Sequence, residues 1–137
     1  MEGVAVILKT SPATIGSVLH RAKHATDKLP IDLQVGTLLL IHQAASGSTT
    51  PPRITHLMKV AGIRRDLSDE TDKIWGRHWD WIIDGEGLRE FVRPIPIGRL
   101  GTASGKNYGQ GAQKFVYLET VDLVDLARSE LFALKPI

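Results

Sequence analysis

The chain contains no cysteine in its 137 residues, which excludes disulfides, thiolate zinc sites and thiol nucleophiles. No apolar run approaches the ~18 residues that a membrane span needs, and the longest, around residues 38–41, suits a buried strand. No cationic stretch leads into a hydrophobic segment and a cleavage site, so the expected compartment is the cytoplasm. There is no Gly-x-Ser-x-Gly elbow and no evident pair of acids for glycoside chemistry. Aromatic residues are few, with three Trp, three Phe and two Tyr. These absences remove the simplest arguments for an enzyme.

What is present fits one domain spanning 1–137. Apolar content of 42% and charged content of 23% are ordinary for a globular chain. The net charge of +2 permits a polyanionic partner without requiring one. Basic residues fall in the middle and later segments, whereas Asp122, Asp125 and Glu130 gather near the C-terminus.

Residues 4–8 are apolar and β-branched, and read as a strand. Ser11 then suits an N-cap with Pro12 in the first helical position, which predicts a helix over 12–25 with Ile15, Val18 and Leu19 inward. Residues 37–42 and 54–60 read as two strands joined by a loop rich in Ser, Thr, Gly and Pro. Residues 64–74 are polar and lack a clean period. A fourth strand is expected at 79–83, with Trp79, Trp81 and Ile83 on one face. A fifth at 91–97 carries Pro94 and Pro96, so it should lie at an edge or contain a bulge. A mobile glycine-rich loop over 98–111, a last strand at 115–118 and a helix over 120–131 complete the order. Thr120 is the expected cap of that helix, with Val121, Val124 and Leu131 buried. Few helices among several strands predict an α+β fold with a curved or closed, largely antiparallel sheet.

His20 and His24 have the spacing of a two-histidine metal pair, but Arg21 stands where a zincin needs Glu. A solvated helix face accounts for them, and no metal or cofactor is expected. Gly101 to Asn107 imitates a phosphate loop, yet has one residue too few between its glycines and Asn where Ser or Thr must hold magnesium. It is rejected as a nucleotide site, though a loop closing over a ligand remains open.

The tryptophans stand out. Trp75, Trp79 and Trp81 lie within seven residues, with Arg77 and His78 among them. Aromatic side chains beside cations suit unstacked bases, which stack on π-faces while the cations hold the backbone. Trp79 and Trp81 are equally accounted for as core residues of one strand face. Trp75, next to Gly76 and ahead of the strand, reads as a pocket wall.

These segments resemble a family. The run Val6-Ile-Leu-Lys-Thr-Ser-Pro12 followed by a helix resembles the opening of YTH and EVE domains, in which a strand ends in Lys-Ser. Residues 36–43 and 54–60 are similar to their next strand pair. Residues 73–81, Lys-Ile-Trp-Gly-Arg-His-Trp-Asp-Trp, resemble the segment that places a cage tryptophan ahead of a strand carrying another. Pro94-Ile-Pro-Ile97 and the glycine-rich loop resemble the later part of EVE-type domains.

The resemblance covers nearly the whole chain and implies a PUA-like fold, a small and strongly curved antiparallel or mixed β-barrel flanked by two or more helices. It implies a base-binding pocket formed by Trp75, Trp79, Trp81, His42, Gln43, Thr10 and Ser11. Phosphates would fall to Lys9, Arg64, Arg65, Arg77 and Lys106. The partner implied is nucleic acid carrying a modified, flipped base such as N6-methyladenine or 5-methylcytosine. DNA is favoured over RNA, and the chain would serve as the reader of a restriction or defence protein, fused or bound to an effector such as a nuclease. YTH domains carry a tryptophan after the first helix, whereas residues 24–35 here hold no Trp, Tyr or Phe, which favours the EVE side. The Gly-x-Lys-x-x-Glu-x-Arg signature of ASCH relatives is absent. The alternative is an enzyme of the same fold acting on a modified nucleoside through Lys9, Thr10 and an acid such as Glu70 or Glu86.

Overall fold

The computed structural model describes residues 5–10, 12–30, 33–44, 52–109 and 115–136. Strand β1 (Ala5–Thr10) leads into helix α1 (Pro12–Arg21), then β2 (Lys23–Thr26), β3 (Leu38–Gln43) and β4 (Arg53–Arg65). Helix α2 (Glu70–Trp75) and strand β5 (Trp81–Pro96) follow, then a 3-10 helix (Ile97–Gly101), β6 (Phe115–Leu118) and α3 (Thr120–Arg128). Ser11, the expected cap of α1, lies outside the described residues.

One six-stranded sheet runs in the order β2-β5-β4-β3-β1-β6. Among the described strands only β1 and β3 are parallel, because α1 and β2 form the crossover between them; the other pairings are antiparallel. The outermost strands approach each other, with the His24 ring meeting Phe115 edge to face at 5.7 Å between centroids. The sheet is therefore curled on itself, and β2 comes beside the residue that pairs with Leu8 of β1.

Both faces of the central strands are covered, which explains why β1 and β3 read as continuous apolar runs. Val6, Leu8, Leu39, Ile41, Met58 and Val18 of α1 form one cluster. Ala5, Ile7, Leu40, Phe91, Tyr108 and Leu126 of α3 belong to the other. Each fully buried Ile or Leu contributes about 1.5–3 kcal/mol relative to exposure.

Several boundaries differ from the sequence expectation. The first helix stops at Arg21 because Ala22 turns left-handed at φ 51 and reverses the chain. Residues 23–26 are therefore a strand, and His24 is 1% exposed instead of lying on a solvated helix face. This turn packs closely on β5, where the Gly85 N–H donates to the Ala22 carbonyl at 2.7 Å. A Cβ on Gly85 would collide with Met58.

The two segments expected at 79–83 and 91–97 are parts of one long β5, and Trp79 precedes it. Register shifts against β4 let the long strand bend, and the prolines lie where β2 no longer pairs with it, as an edge or bulge position requires. In α3 the expected face is rotated. Val121 and Val124 are exposed, while Asp122 and Leu126 are buried. Burying Asp122 is possible because Ser104 and Tyr108 supply hydrogen bonds to its carboxylate. The N-cap is Glu119 instead of Thr120, and Leu131 lies beyond the helix, half-buried.

Candidate nucleic-acid interface

The parallel pairing of β1 with β3 sets Lys9 opposite His42 and Thr10 opposite Gln43. Thr10 Oγ1 donates to the His42 carbonyl at 2.8 Å, tying the two strand ends together. A register shift between Ile41 and His42 inserts Thr55 of β4 into the ladder. From that bulge runs a chain of hydrogen bonds. Arg53 Nη2 donates to Gln43 Oε1 at 3.2 Å, Gln43 Nε2 donates to Thr55 Oγ1 at 2.8 Å, and Thr55 Oγ1 lies 2.8 Å from His56 Nδ1. The chain closes when Thr55 donates to Nδ1, which leaves the His56 proton on Nε2. Burial pushes the His56 imidazole below its ordinary value, which favours this neutral form. Gln43 is thus engaged at both ends of its amide.

His42 is different. It is 6% exposed, and its Nδ1 is buried without a hydrogen-bond partner. Burial lowers its pKa most, and the charges of Lys9 and Arg53 lower it further. Its own backbone carbonyl opposes this in part without completing a hydrogen bond to Nδ1. The ring is neutral at pH 7 and has unmet hydrogen-bonding capacity between two cations.

The tryptophans sit at the connection between β4 and β5. Asp66 organises it, accepting from the backbone N–H groups of Ser68, Glu70 and Thr71 and from the Thr71 hydroxyl. These bonds hold its carboxyl far below the usual carboxylate range, the Thr71 hydroxyl contributing most. Thr71 Oγ1 in turn accepts from the Trp79 N–H at 2.9 Å. Helix α2 and the loop carrying Trp75 and Trp79 are therefore one braced unit.

Trp75, Trp79 and Trp81 are all half-buried. None of the three is fully enclosed, and the Trp79 Nε1 atom itself is buried. The Arg77 guanidinium carbon stands 3.6 Å from the Trp79 ring centroid, and its Nη2 is 2.9 Å from Asp27, just after β2. The Arg65 guanidinium lies 5.1 Å from the Trp81 ring.

The remaining predicted cations are differently placed. Arg64 Nε lies 2.7 Å from Asp84 and its Nη2 2.8 Å from Glu70, with Lys23 3.2 Å from the same Glu70 oxygen. Its guanidinium is committed to carboxylates, and the hydrogen bonds it donates, to Asp84 first and then to Glu70, raise its pKa. Lys106 is exposed and paired with Glu119 at 3.0 Å. Of the acids considered for catalysis, Glu70 is held below its usual range chiefly by Arg64, and Glu86 is exposed opposite Lys59.

Asp69, Asp72 and His78 bring ligand atoms within 4.8 Å of one another, all exposed. Carboxylates favour the start of a helix whether or not a cation is present. A surface cavity of about 290 Å³ opens between β5 and the segment after α3, lined by Val92, Arg93, Glu130, Leu131 and Ala133, none of them a predicted site residue.

Sequence reasoning missed Arg53, Thr55, His56 and Asp27. The hairpin between β3 and β4 was legible, and continuing it to its loop end would have set Arg53 opposite Gln43. Asp27 was hidden by the assignment of 23–25 to a helix.

No protein-family model matches the sequence, and neither does any curated protein. Solved structures nevertheless share its architecture. The ASCH protein of Zymomonas mobilis superimposes with a TM-score of 0.64 at 11% identity, over 90% of this chain and 93% of its own. A serine-to-alanine variant of it gives 0.66 at 10%, over 92% and 96%. Human THYN1, solved in complex with 5-methylcytosine-containing DNA, gives 0.59 at 13%, over 93% and 99%. The fold is PUA-like. The identities are too low to carry more than the fold. Within this PUA-like fold, the curled mixed sheet and flanking helices agree with the sequence expectation. No helix among the described residues is long and apolar enough to cross a membrane.

Proposed function

We propose that this chain binds nucleic acid carrying a modified base and is not itself an enzyme. The observation that carries the reading is the set of half-buried tryptophans matched to arginines, Arg77 over Trp79 and Arg65 beside Trp81, with Trp75 on the same braced unit. A flipped base costs a few kcal/mol to unstack. Stacking on an indole offsets about 1–3 kcal/mol of that per base. The strand ends carrying Thr10, His42 and Gln43 supply hydrogen-bonding groups for a base edge, and Lys9 and Arg77 supply charge for phosphates.

The THYN1 structure supports the partner class, since that PUA-like protein is seen with 5-methylcytosine DNA. The spacing of the tryptophan segment and of Pro94-Ile-Pro-Ile97 supports an EVE-type reader, acting on DNA within a restriction or defence system and joined to an effector such as a nuclease. The test is a panel of short duplex and single-stranded oligonucleotides, each with one modified base, titrated at several salt concentrations. Tighter binding of one modified member is the expected outcome. Absence of any salt-dependent binding would overturn the reading. Turnover of a modified nucleoside that disappears on Lys9→Ala would replace it with an enzyme.

A further inference from the structure

We infer that Arg77 is a gate over the Trp79 ring, held shut by Asp27 in the free protein and opened when a phosphate takes the place of Asp27. This deepens the proposed function and rests on it, because the phosphate is taken to be one of the bound nucleic acid.

The Arg77 guanidinium carbon lies 3.6 Å from the Trp79 ring centroid, which is direct contact and leaves no room for a base on that face. Arg77 is exposed, so the covered face is the one toward solvent. A base can stack there only once the guanidinium has moved. Two contacts besides the ring keep it in place. Its Nη2 is 2.9 Å from Asp27 Oδ2, and its Nε donates to the His78 carbonyl at 3.2 Å. The carboxylate is itself set by the sheet. Thr26 pairs with Trp81, which brings the end of β2 beside the start of β5. The Thr26 hydroxyl donates to the Lys28 carbonyl at 2.9 Å and accepts from its N–H at 3.3 Å, closing a turn around Asp27. Asp27 is therefore a positioning residue, acting on the ligand through Arg77.

The strength of this latch decides what it can do. An exposed ion pair shifts an equilibrium by about two- to fivefold, and an exposed cation–π contact by about as much. The closed arrangement is favoured without a ligand, yet one anion is enough to open it. A phosphodiester offers the guanidinium two oxygens, which its planar fork can take together. Arg64 makes the contrast. It is held between Asp84 and Glu70, so a single incoming anion cannot free it, whereas Asp27 is the one carboxylate on Arg77 among the described residues. When Arg77 turns to a phosphate, the same movement uncovers the indole. Phosphate contact and base stacking are thereby coupled through one side chain, and no bond is made or broken.

The experiment has two arms on the full chain. In the first, a fluorescent oligonucleotide containing 5-methylcytosine is titrated into wild type, Asp27→Asn, Arg77→Gln and the double variant at constant ionic strength. Asp27→Asn should tighten binding about two- to fivefold in the wild-type background and leave it unchanged in Arg77→Gln. Plain repulsion between Asp27 and phosphates would instead tighten both backgrounds alike. In the second, the side-chain proton resonances of Arg77 in wild type are followed alone, with inorganic phosphate, and with the oligonucleotide. Lying over the indole, they should start displaced upfield by its ring current and return toward ordinary positions with either anion.

An oligonucleotide that binds while the Arg77 resonances stay displaced overturns the gate and leaves the proposed function standing. So does equal tightening in both backgrounds, or none in either. Resonances that are not displaced at the start overturn the gate outright. Failure to bind any oligonucleotide, with resonances that still relax on phosphate, keeps the gate and overturns the nucleic-acid reading.

Discussion

The Tyr108 hydroxyl donates to Asp122 Oδ2 at 2.6 Å, and both side chains are buried, at 1% and 0% exposure. Asp122 also accepts from Ser104 N–H and Oγ, and Tyr108 accepts from the Glu119 N–H at 2.9 Å. One carboxylate thus pins the glycine-rich loop to the first turn of α3.

Asp122→Ala should destabilise the fold by about 2–4 kcal/mol, since it strands a buried hydroxyl and a backbone N–H that now share a charged acceptor. Tyr108→Phe, which removes one donor and keeps Ser104 on the carboxylate, should cost about 1–2 kcal/mol. Urea melts of the two variants test the order; equal midpoints for Asp122→Ala and wild type would sink the account.

Gly101 is the closest backbone approach in the same region. A Cβ there would overlap the Lys106 carbonyl oxygen, whereas Gly98 has open space around it. Gly101→Ala is expected to cost about 2–4 kcal/mol because backbone must move, and Gly98→Ala less than about 0.5 kcal/mol. The difference between their denaturation midpoints decides it.

Stability should fall on both sides of neutrality. His42 and His56 have folded-state values below 6.5, mainly through burial, so the unfolded chain binds more protons as pH drops below that value. Stability is then lost on the acid side of 6.5. Tyr108 behaves oppositely. Burial first, then Asp122, pushes it up to about 12, so the folded form keeps its proton where the unfolded form ionises. Its contribution is complete below pH 10 and is lost between 10 and 12. Thermal melts across pH check both limbs, and Tyr108→Phe should remove much of the alkaline one.

Trp75 and Arg77 should separate recognition from attraction. Trp75→Ala is expected to weaken a modified oligonucleotide by about 1–3 kcal/mol and the unmodified one by less. Arg77→Ala should weaken all sequences alike and reduce the salt slope by about 0.9, as loss of one phosphate contact does. Equal losses on both oligonucleotides for Trp75→Ala would argue against a cage wall.

The sequence by itself determined the strands at the two ends of the chain, β3, the helix opened by Pro12 and the α+β class. Runs of Val, Ile and Leu bounded by Pro and Gly carry that information locally. Trp75, Lys9 and His42 could be picked out from the sequence only as candidates, by residue type and by their place beside a strand. Tertiary structure alone decided the rest. The left-handed Ala22 that ends α1 is tolerated because Gly85 lets β5 approach the turn. The burial of Asp122 in place of Val121 and Val124 depends on Tyr108, fourteen residues away. The commitment of Arg64 to Asp84 and Glu70, and the isolation of the His42 ring between Lys9 and Arg53, arise only when separate strands come into register. Local pattern sets which residues are available, and the partners that satisfy or leave them unsatisfied come from distant parts of the chain.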